Sequence, residues 1–280
     1  MTTSMSLNQL FLINGRSEHA LSPLDRGLSY GDGVFRTIRI QKGVPDNWNL
    51  HFNKLVEDCN VLGIVCPSTE LLLTDIERLF SGKDSVQELA VAKIIITRGE
   101  GARGYAVPSL AQPNRIVIKS AFPEYPAVNF NDGVQLHLCK LRLSYQPLLA
   151  GIKHLNRLEN VMARMEWKDS AIAEGIMLDE KNNVIECTAS NLFARYDKTL
   201  LTSDLSHCGV AGVTRQRILE LVPKLNLRSR VSQITLNKLM QADEIIICNS
   251  LYGAWQVKTF NGQQFPNLGL ASQLRNILQE

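Results

Sequence analysis

The chain has 280 residues, of which 45% are hydrophobic, and its 30 basic and 27 acidic side chains leave a formal net charge of +3. This length suits two domains or one large one, with enough apolar residues for a substantial core. The balanced charge, without a sustained basic run, disfavours nucleic acid as a partner. No apolar stretch approaches the roughly 20 residues that cross a bilayer, and residues 1–9 lack the pattern of a signal peptide. We therefore expect a cytoplasmic protein without membrane contact.

The six cysteines predict neither a disulfide framework nor a metal site. No two of them have CxxC spacing, and with the five histidines they form no cluster of the kind that binds zinc. Most lie between apolar residues, which indicates reduced side chains in the core. They stand at positions 59, 66, 139, 187, 208 and 248.

The first part of the chain mixes strand-like and helix-like stretches, so we expect residues 1–122 to form an α+β domain. Periodicity and turn residues predict strands at 9–14, 34–40, 90–97 and 115–121, with turns at Asn14-Gly15 and Lys42-Gly43. Apolar residues with helical spacing predict helices at 50–62 and 71–80, which end at Gly63 and Gly82.

Two prolines, Pro123 and Pro126, mark the best candidate for a linker, which we place at 123–130. Residues 131–280 then form the second predicted domain. Its predicted elements, in chain order, are a strand at 134–143, an amphipathic helix after Lys153, a hairpin around 182–183, a strand at 200–201, a helix at 213–222, strands near 230 and at 244–248, and a hairpin at Asn261-Gly262.

Lys153 is the most informative single residue, in the run Ile-Lys-His-Leu-Asn-Arg-Leu-Glu at 152–159. An amine that condenses with an aldehyde must be held in place, partly desolvated and near other cations, so that it loses its proton near neutral pH. A surface lysine at the end of a loop is the competing interpretation. Apolar neighbours on both sides weaken that alternative; they are Leu149, Ala150, Ile152, Leu155, Leu158, Met162 and Met165.

The run Ala-Gly-Ile-Lys-His-Leu-Asn-Arg-Leu-Glu at 150–159 resembles the fold-type IV pyridoxal-phosphate enzymes. This family includes D-amino-acid and branched-chain aminotransferases and 4-amino-4-deoxychorismate lyases, and the run is similar to the lyase version in particular. The resemblance extends from Phe11 to the segment around Asn249. It implies a two-domain α+β / α/β fold of the D-amino-acid aminotransferase type, with a β-barrel-like second domain that carries the lysine. It further implies pyridoxal 5'-phosphate as the cofactor, Lys153 as its Schiff-base lysine, and a homodimer.

The lyase resemblance implies conversion of 4-amino-4-deoxychorismate to 4-aminobenzoate and pyruvate, a step toward folate. An aminotransferase acting on D-amino acids or branched-chain amino acids needs the same lysine and is the nearest alternative. A homologue that retains the fold without the chemistry is a second alternative. The presence of both Lys153 and a matching glutamate argues against it.

That glutamate is Glu186, which lies in the apolar strand pattern Val-Ile-Glu-Cys at 184–187. A carboxylate in a buried strand is costly unless a cation or a hydrogen-bond donor meets it. The resemblance implies that Glu186 pairs with the pyridine nitrogen and keeps it protonated, which makes the ring a better electron sink. A solvent-facing position on the strand is the alternative that period-2 alternation allows.

A glycine-bearing segment at 209–215 runs into a helical pattern, where free backbone N–H groups and the helix dipole could bind an anion. A plain turn is the more common explanation of such glycines. The resemblance places the cofactor phosphate here, with contributions from the amides of Val213 and Thr214. Asn249 and Ser250, at the end of an apolar strand, are second candidates.

Lys54 lies in the segment His-Phe-Asn-Lys-Leu at 51–55, where the family usually has an arginine that contacts the same phosphate. The chain departs from the family here, because lysine supplies a point charge and no two-pronged hydrogen bond. Phosphate binding and a solvated helix face both remain open for Lys54.

The glycine-rich segment at 97–105 follows a predicted strand and carries two arginines and a tyrosine. Mobile loops of this kind suit closure over a substrate that bears a carboxylate. We interpret Arg98 as a surface residue, whereas the resemblance assigns Arg103 and Tyr105 to the substrate. His154 and Arg157, from the lysine run, are further substrate candidates, although Arg157 could equally cap its helix or pair with Glu159 and Glu166.

Tyr-Gly-Asp-Gly-Val-Phe-Arg-Thr at 30–37 resembles an early glycine-aspartate-glycine segment of the family. We expect Asp32 to be structural, with its carboxylate holding a turn. The hydroxyl of Thr37 could relay a proton beside Lys153. A β-branched strand residue without a catalytic role is the alternative for Thr37.

Overall fold

The chain folds into two compact units in the computed structural model, which describes residues 10–17, 20–81 and 89–279. The first unit contains the described residues up to Pro123 together with Lys153–Asn156. The second contains Glu124–Ile152 and the described residues from Arg157 onward. Lys153 thus belongs to the first unit. The predicted domains, 1–122 and 131–280, instead place Lys153 in the second domain, and that division stays a prediction. The predicted linker at 123–130 contains most of a short helix at Ala127–Asn131.

The first unit is built on a five-stranded antiparallel sheet with the strand order β1-β5-β4-β2-β3. Two helices, α2 and α3, cover a core of aliphatic side chains contributed by these strands. The elements are β1 (Phe11–Ile13), α1 (Arg26–Tyr30), β2 (Gly33–Gln41), β3 (Val44–Pro45), α2 (Trp48–Leu62), α3 (Thr69–Phe80), β4 (Leu89–Thr97) and β5 (Asn114–Ala121).

Local sequence explains where the two long helices of this unit begin and end. Gly63 adopts a left-handed conformation with φ of 63° and stops α2, as only glycine does without strain. Ser68 accepts a hydrogen bond from the backbone N–H of Leu71 and so caps the start of α3. The buried faces of both helices carry the apolar residues that the 3.6-residue period predicts, including Leu55 and Leu72.

The second unit is built on a nine-stranded mixed sheet, in the order β11-β10-β9-β12-β13-β6-β7-β8, with β14 paired to β13. The pairs β6–β7, β6–β13 and β10–β11 are parallel, and the other pairs are antiparallel. The helices are α4 (Ala127–Asn131), α5 (Leu158–Arg164), α6 (Val213–Leu221), a 3-10 turn (Val222–Leu225), α7 (Leu236–Leu239) and α8 (Leu270–Leu278). The strands are β6 (Val134–Leu143), β7 (Ile172–Asp179), β8 (Val184–Cys187), β9 (Asn191–Tyr196), β10 (Thr199–Ser203), β11 (Arg228–Ser232), β12 (Glu244–Asn249), β13 (Gly253–Phe260) and β14 (Gln263–Gln264).

Most predicted elements are confirmed within one or two residues, including the turns at Asn14-Gly15, Lys42-Gly43 and Asn261-Gly262. The predicted strand start at residue 9 and the helix stop at Gly82 lie outside the described residues. Among the helices of the described ranges, none combines the length and apolar character that a membrane crossing requires. The six cysteines are free thiols; five of them are buried, as predicted for core side chains, and Cys66 is partly exposed.

The helix predicted after Lys153 is confirmed, but its start is displaced along the chain. It does not follow the lysine directly but begins at Leu158, and Lys153 lies in an extended segment before it. The side chains of its apolar residues Leu158, Met162 and Met165 are 76%, 59% and 73% exposed. Their spacing is helical as predicted, but the apolar face of α5 is turned away from the core of its own unit.

Candidate active site

Lys153 is held in the first unit by backbone hydrogen bonds to β2. Its carbonyl oxygen accepts from the N–H of Phe35 at 2.9 Å, and the N–H of Leu155 donates to the carbonyl of Gly33 at 2.9 Å. His154 forms a β-bridge with Val34 between these two bonds. The short segment 153–155 therefore acts as an added strand, which fixes the backbone from which the lysine side chain extends.

The side chain of Lys153 lies against an aromatic ring that also meets a second ammonium group. Its Nζ is 4.8 Å from the ring centroid of Phe35, and the Nζ of Lys93 is 5.0 Å from the same centroid. Thr37 is two residues beyond Phe35 on the same face of β2 and pairs in register with Lys93. Thr37 thus shares a face of the strand with the ring that Lys153 contacts. Its role as a proton relay stays a prediction.

A buried carboxylate, Asp58 of α2, lies beneath the lysine backbone. It is 0% exposed and accepts a hydrogen bond from the backbone N–H of Lys153 at 3.1 Å. The guanidinium of Arg36, itself 2% exposed, forms an ion pair with the same carboxylate. Burial of a carboxylate is costly unless cations and hydrogen-bond donors meet it, and here Arg36 and the N–H of Lys153 do so.

Lys54 joins the same carboxylate from one turn earlier in α2. Its Nζ is 2.9 Å from Asp58 and 3.3 Å from Glu57, and its side chain is only 14% exposed. The interpretation of Lys54 as a solvated helix residue is therefore wrong. A contact between Lys54 and the cofactor phosphate stays a prediction.

His51, at the start of α2, adds an uncharged group to this cluster of cations. It is 4% exposed, and its pKa is lowered to about 3 by burial and by the positive charges of Arg36 and Lys153. The imidazole is therefore neutral at physiological pH.

Glu186 of β8 is buried in the second unit, 4% exposed, as the sequence predicted. Its Oε2 accepts a hydrogen bond from the backbone N–H of Val210 at 2.8 Å. This bond anchors the carboxylate against the glycine-bearing segment that precedes α6. The solvent-facing alternative for Glu186 is wrong.

Asn191 of β9 holds the same segment from the other side, a role that sequence reasoning missed. Its side-chain amide donates to the carbonyl of Val210 at 2.8 Å, and its Oδ1 accepts from the N–H of Gly212 at 3.1 Å. A Cβ added at Gly212 would lie 2.4 Å from that oxygen, so a larger residue there would displace the Asn191 side chain. The peptide of Val210 is thus fixed at its N–H by Glu186 and at its carbonyl by Asn191.

The segment before α6 also bonds to the stretch that leads into the lysine run. The N–H of Gly151 donates to the carbonyl of Gly209 at 2.9 Å, and the N–H of Ala211 donates to the carbonyl of Gly151 at 3.0 Å. Gly151 is two residues before Lys153 in the chain. The backbone just ahead of the lysine is therefore fixed to the loop that Glu186 and Asn191 hold.

Helix α6 begins at Val213 with Gly212 as its N-cap and without a hydrogen bond from a capping side chain. The hydroxyls of Thr214 and Ser250 lie 3.3 Å apart beside this first turn. Uncapped N–H groups at a helix start attract anions, and two hydroxyls add further donors. Asn249 uses its side-chain oxygen to accept from the N–H groups of Leu251 and Tyr252, at 3.0 and 3.1 Å. These bonds shape the turn after β12.

The glycine-rich segment after β4 forms a loop, as predicted, in which Arg103 and Tyr105 are exposed, and the side chain of Tyr105 is 85% exposed. Their contact with the substrate stays a prediction. Arg98 was wrongly interpreted as a surface residue. It is 6% exposed, and its Nε donates to Asp32 at 2.8 Å. The carboxylate of Asp32 is structural, as predicted, but it accepts from buried arginines instead of closing only its own turn.

Arg157 precedes α5 in the second unit, and its Nη1 is 3.4 Å from Oδ1 of Asn160. Its proposed helix partners have other hydrogen bonds: Glu159 accepts from Ser144, and Glu166 accepts from the backbone of Lys140 and Leu141. A substrate contact for Arg157, like that for His154, stays a prediction.

Comparison with known proteins identifies the family. Residues 33–260 match the family model described as amino-transferase class IV. The chain is 37% identical to an aminodeoxychorismate lyase from Vibrio harveyi over 87% of this chain and 89% of that protein. It superposes on a 4-amino-4-deoxychorismate lyase from Pseudomonas aeruginosa with a TM-score of 0.90 and 41% identity, over 96% and 98% of the two chains. A branched-chain aminotransferase from Thermoproteus uzoniensis shares the fold at 19% identity, with a TM-score of 0.85 over 97% and 93% of the chains. The chain belongs to the amino-transferase class IV family, and the predicted resemblance is confirmed.

Proposed function

We propose that this protein is a pyridoxal-phosphate-dependent lyase that converts 4-amino-4-deoxychorismate to 4-aminobenzoate and pyruvate, a step toward folate. The observation that carries the proposal is the likeness, over nearly the whole chain, to two proteins described as lyases of this substrate, at 37% and 41% identity. Two aminotransferase relatives are less similar in sequence, at 28% and 27% identity.

The residues present fit pyridoxal phosphate. The cofactor offers a phosphate anion, a basic ring nitrogen and an aldehyde. For the phosphate, the second unit provides the uncapped amides of Val213 and Thr214 with the hydroxyl of Ser250. For the ring nitrogen it provides the buried carboxylate of Glu186. For the aldehyde, the resemblance to the family gives the amine of Lys153.

When bound, pyridoxal phosphate supplies an aldehyde that condenses with amines and a ring that withdraws electrons from the carbon bearing the substrate amine. Lys153 would hold the cofactor through its Nζ. The same Nζ would remove the proton from the amine-bearing carbon of the substrate. Glu186 holds a proton at the pyridine nitrogen, and Asn249 and Lys54 complete the set that we propose for cofactor binding.

Elimination breaks the bond between the ring carbon and the enolpyruvyl oxygen. Lys153, or Thr37 as a relay, delivers a proton to the methylene carbon of the departing group, which becomes pyruvate. The remaining ring becomes aromatic, so the reaction is effectively irreversible. We assign the two carboxylates of the substrate to Arg103, Tyr105, His154 and Arg157.

Turnover without an amino acceptor tests this function. Purified protein reconstituted with pyridoxal phosphate receives 4-amino-4-deoxychorismate alone, and 4-aminobenzoate and pyruvate are measured. We expect equal amounts of both products and none with Lys153→Ala. If products form only when a 2-oxo acid is added and an amino acid accumulates, the protein is an aminotransferase and the proposal is wrong.

We propose that the protein acts as a homodimer in the cytoplasm. The exposed apolar face of α5, formed by Leu158, Val161, Met162 and Met165, supports a second copy as its partner, since monomers rarely expose such patches. Six free thiols suit a reducing compartment.

Light scattering should give twice the 31.3 kDa of one chain. Leu158→Glu combined with Met162→Glu should give a monomer, unlike the control Val231→Glu on edge strand β11. A wild-type monomer would contradict the dimer.

A further inference from the structure

The loop between β4 and β5 is shaped by one buried arginine of helix α1. Arg26 is only 4% exposed, although arginine is normally a surface residue. Its Nη1 donates to the carbonyl oxygens of Gly104 and Ala106 at 3.0 and 3.3 Å, and its Nη2 donates to that of Tyr105 at 3.2 Å. Three successive carbonyls of the loop therefore converge on a single guanidinium.

Further contacts tie the same loop to α1. The backbone N–H of Arg26 donates to the carbonyl of Gly99 at 2.8 Å. The ring of Tyr30 lies 5.4 Å from that of Tyr105, and its hydroxyl accepts from the N–H of Gly104 at 3.3 Å. A Cβ added at Gly101 would lie 2.8 Å from Cδ of Arg26, so the loop passes close to the arginine stem.

The guanidinium is itself fixed by Asp32. Its Nε donates to Oδ2 of that carboxylate at 2.9 Å. Burial raises the pKa of Asp32, but hydrogen bonds from Arg98 and Arg26 outweigh this and lower it below its usual value. The carboxylate is therefore charged at neutral pH, and Arg26 has a permanent partner. Only arginine offers five donors in a planar fork, so one side chain can bind the carboxylate and three carbonyls together.

Arg98 provides an internal comparison. It donates to the same Oδ2 of Asp32 at 2.8 Å and is equally buried. Its remaining donors go to the carbonyls of Leu62 and Gly63, at 2.6 and 3.0 Å, at the end of α2. The two arginines share one carboxylate but hold different parts of the unit.

We propose that Arg26 is a positioning residue for the substrate: it holds the turn at 104–106 so that the exposed side chains of Arg103 and Tyr105 meet a carboxylate-bearing substrate. The substrate assignment rests on the proposed function. The position of the loop does not, since it follows from the hydrogen bonds alone. Lysine in place of Arg26 retains the charge beside Asp32 but lacks the donors that reach three carbonyls.

Arg26→Lys and the matched control Arg98→Lys separate this role from general stabilisation. The first measurement is the rate of tryptic cleavage after Arg103, followed by mass spectrometry. The second is the pair of steady-state constants, kcat and KM, for 4-amino-4-deoxychorismate. For Arg26→Lys we expect cleavage to be about tenfold faster and KM about tenfold higher, with kcat little changed, as suits the loss of one or two net hydrogen bonds. For Arg98→Lys, the cleavage rate and KM should both stay near the wild-type values.

Other results overturn the proposal. Unchanged cleavage in Arg26→Lys would show that the loop does not depend on the arginine, and so would equal acceleration in Arg98→Lys. Faster cleavage with an unchanged KM would show that the loop is held but does not position substrate. If the wild-type protein releases no 4-aminobenzoate, the proposed function fails, while the cleavage rates still decide whether Arg26 holds the loop.

Discussion

Asp58 shows how much the surroundings of Lys153 depend on one buried side chain. The carboxylate accepts from the lysine backbone and forms ion pairs with Arg36 and Lys54. Each of these partners would lose a charged neighbour if Asp58 were neutral. The lysine run itself gives no sign of this residue, because Asp58 lies 95 positions earlier in the chain.

Asp58→Asn should therefore destabilise the protein strongly. Removing one partner of a buried ion pair leaves an uncompensated charge and costs about 3 kcal/mol or more. The matched control is Asp46→Asn, because the pair of Arg39 with Asp46 is partly exposed, at 27% and 22%. Exposed pairs contribute at most about 1 kcal/mol. Urea unfolding measures the free energy of unfolding of both variants. Equal losses of stability in Asp58→Asn and Asp46→Asn would contradict the structural role of Asp58.

His51 makes stability depend on pH. Its pKa is about 3 in the folded protein and about 6.5 when unfolded, so between these values the unfolded state binds the extra proton. The contribution of neutral His51 to the free energy of unfolding is complete above pH 6.5. It decreases as the pH falls toward 3, by roughly 1.4 kcal/mol for each pH unit. In urea unfolding from pH 7 to pH 4, wild type should lose stability more steeply than His51→Gln. Parallel curves would show that His51 is not buried as a neutral group.

At the scale of elements, hydrophobic periodicity and turn residues predict strands and helices well, because both are local properties. Glu186 was placed on a buried strand for the same reason. Arg98 was misjudged because its glycine-rich neighbours resemble a surface loop, while its partner Asp32 lies 66 positions away. Asn191 was missed because its partners, Val210 and Gly212, are about twenty positions distant. The apolar face of α5 has the right period, but periodicity does not say which surface covers it.

The loop before α6 should depend on Asn191 for its shape. Asn191→Ala removes both the donor to Val210 and the acceptor for Gly212, each worth about 1 kcal/mol. We expect pyridoxal phosphate to bind about tenfold more weakly or worse, measured by absorbance titration of the apoprotein. Asn183→Ala is the control, since the side-chain amide of Asn183 donates to Asp179 at 2.9 Å within the turn between β7 and β8. Equal losses of affinity in both variants would contradict the role of Asn191.

At the scale of the whole molecule, two sets of residues carry the proposed chemistry, one in each unit. Lys153, Phe35 and Asp58 form the lysine set, and Glu186, Asn191 and the start of α6 form the anion set. The sequence identified one or two members of each set through their resemblance to a family. The supporting members depend on strand pairing and on contacts between distant segments, which no short motif encodes.

The most direct measurement concerns the attachment point of the cofactor. Protein incubated with pyridoxal phosphate is reduced with borohydride and digested, and the peptides are mapped by mass spectrometry. We predict a single stoichiometric phosphopyridoxyl adduct on the peptide that contains Lys153, absent from Lys153→Ala. An adduct on Lys93, Lys54 or another lysine in its place, or none at all, would contradict the account.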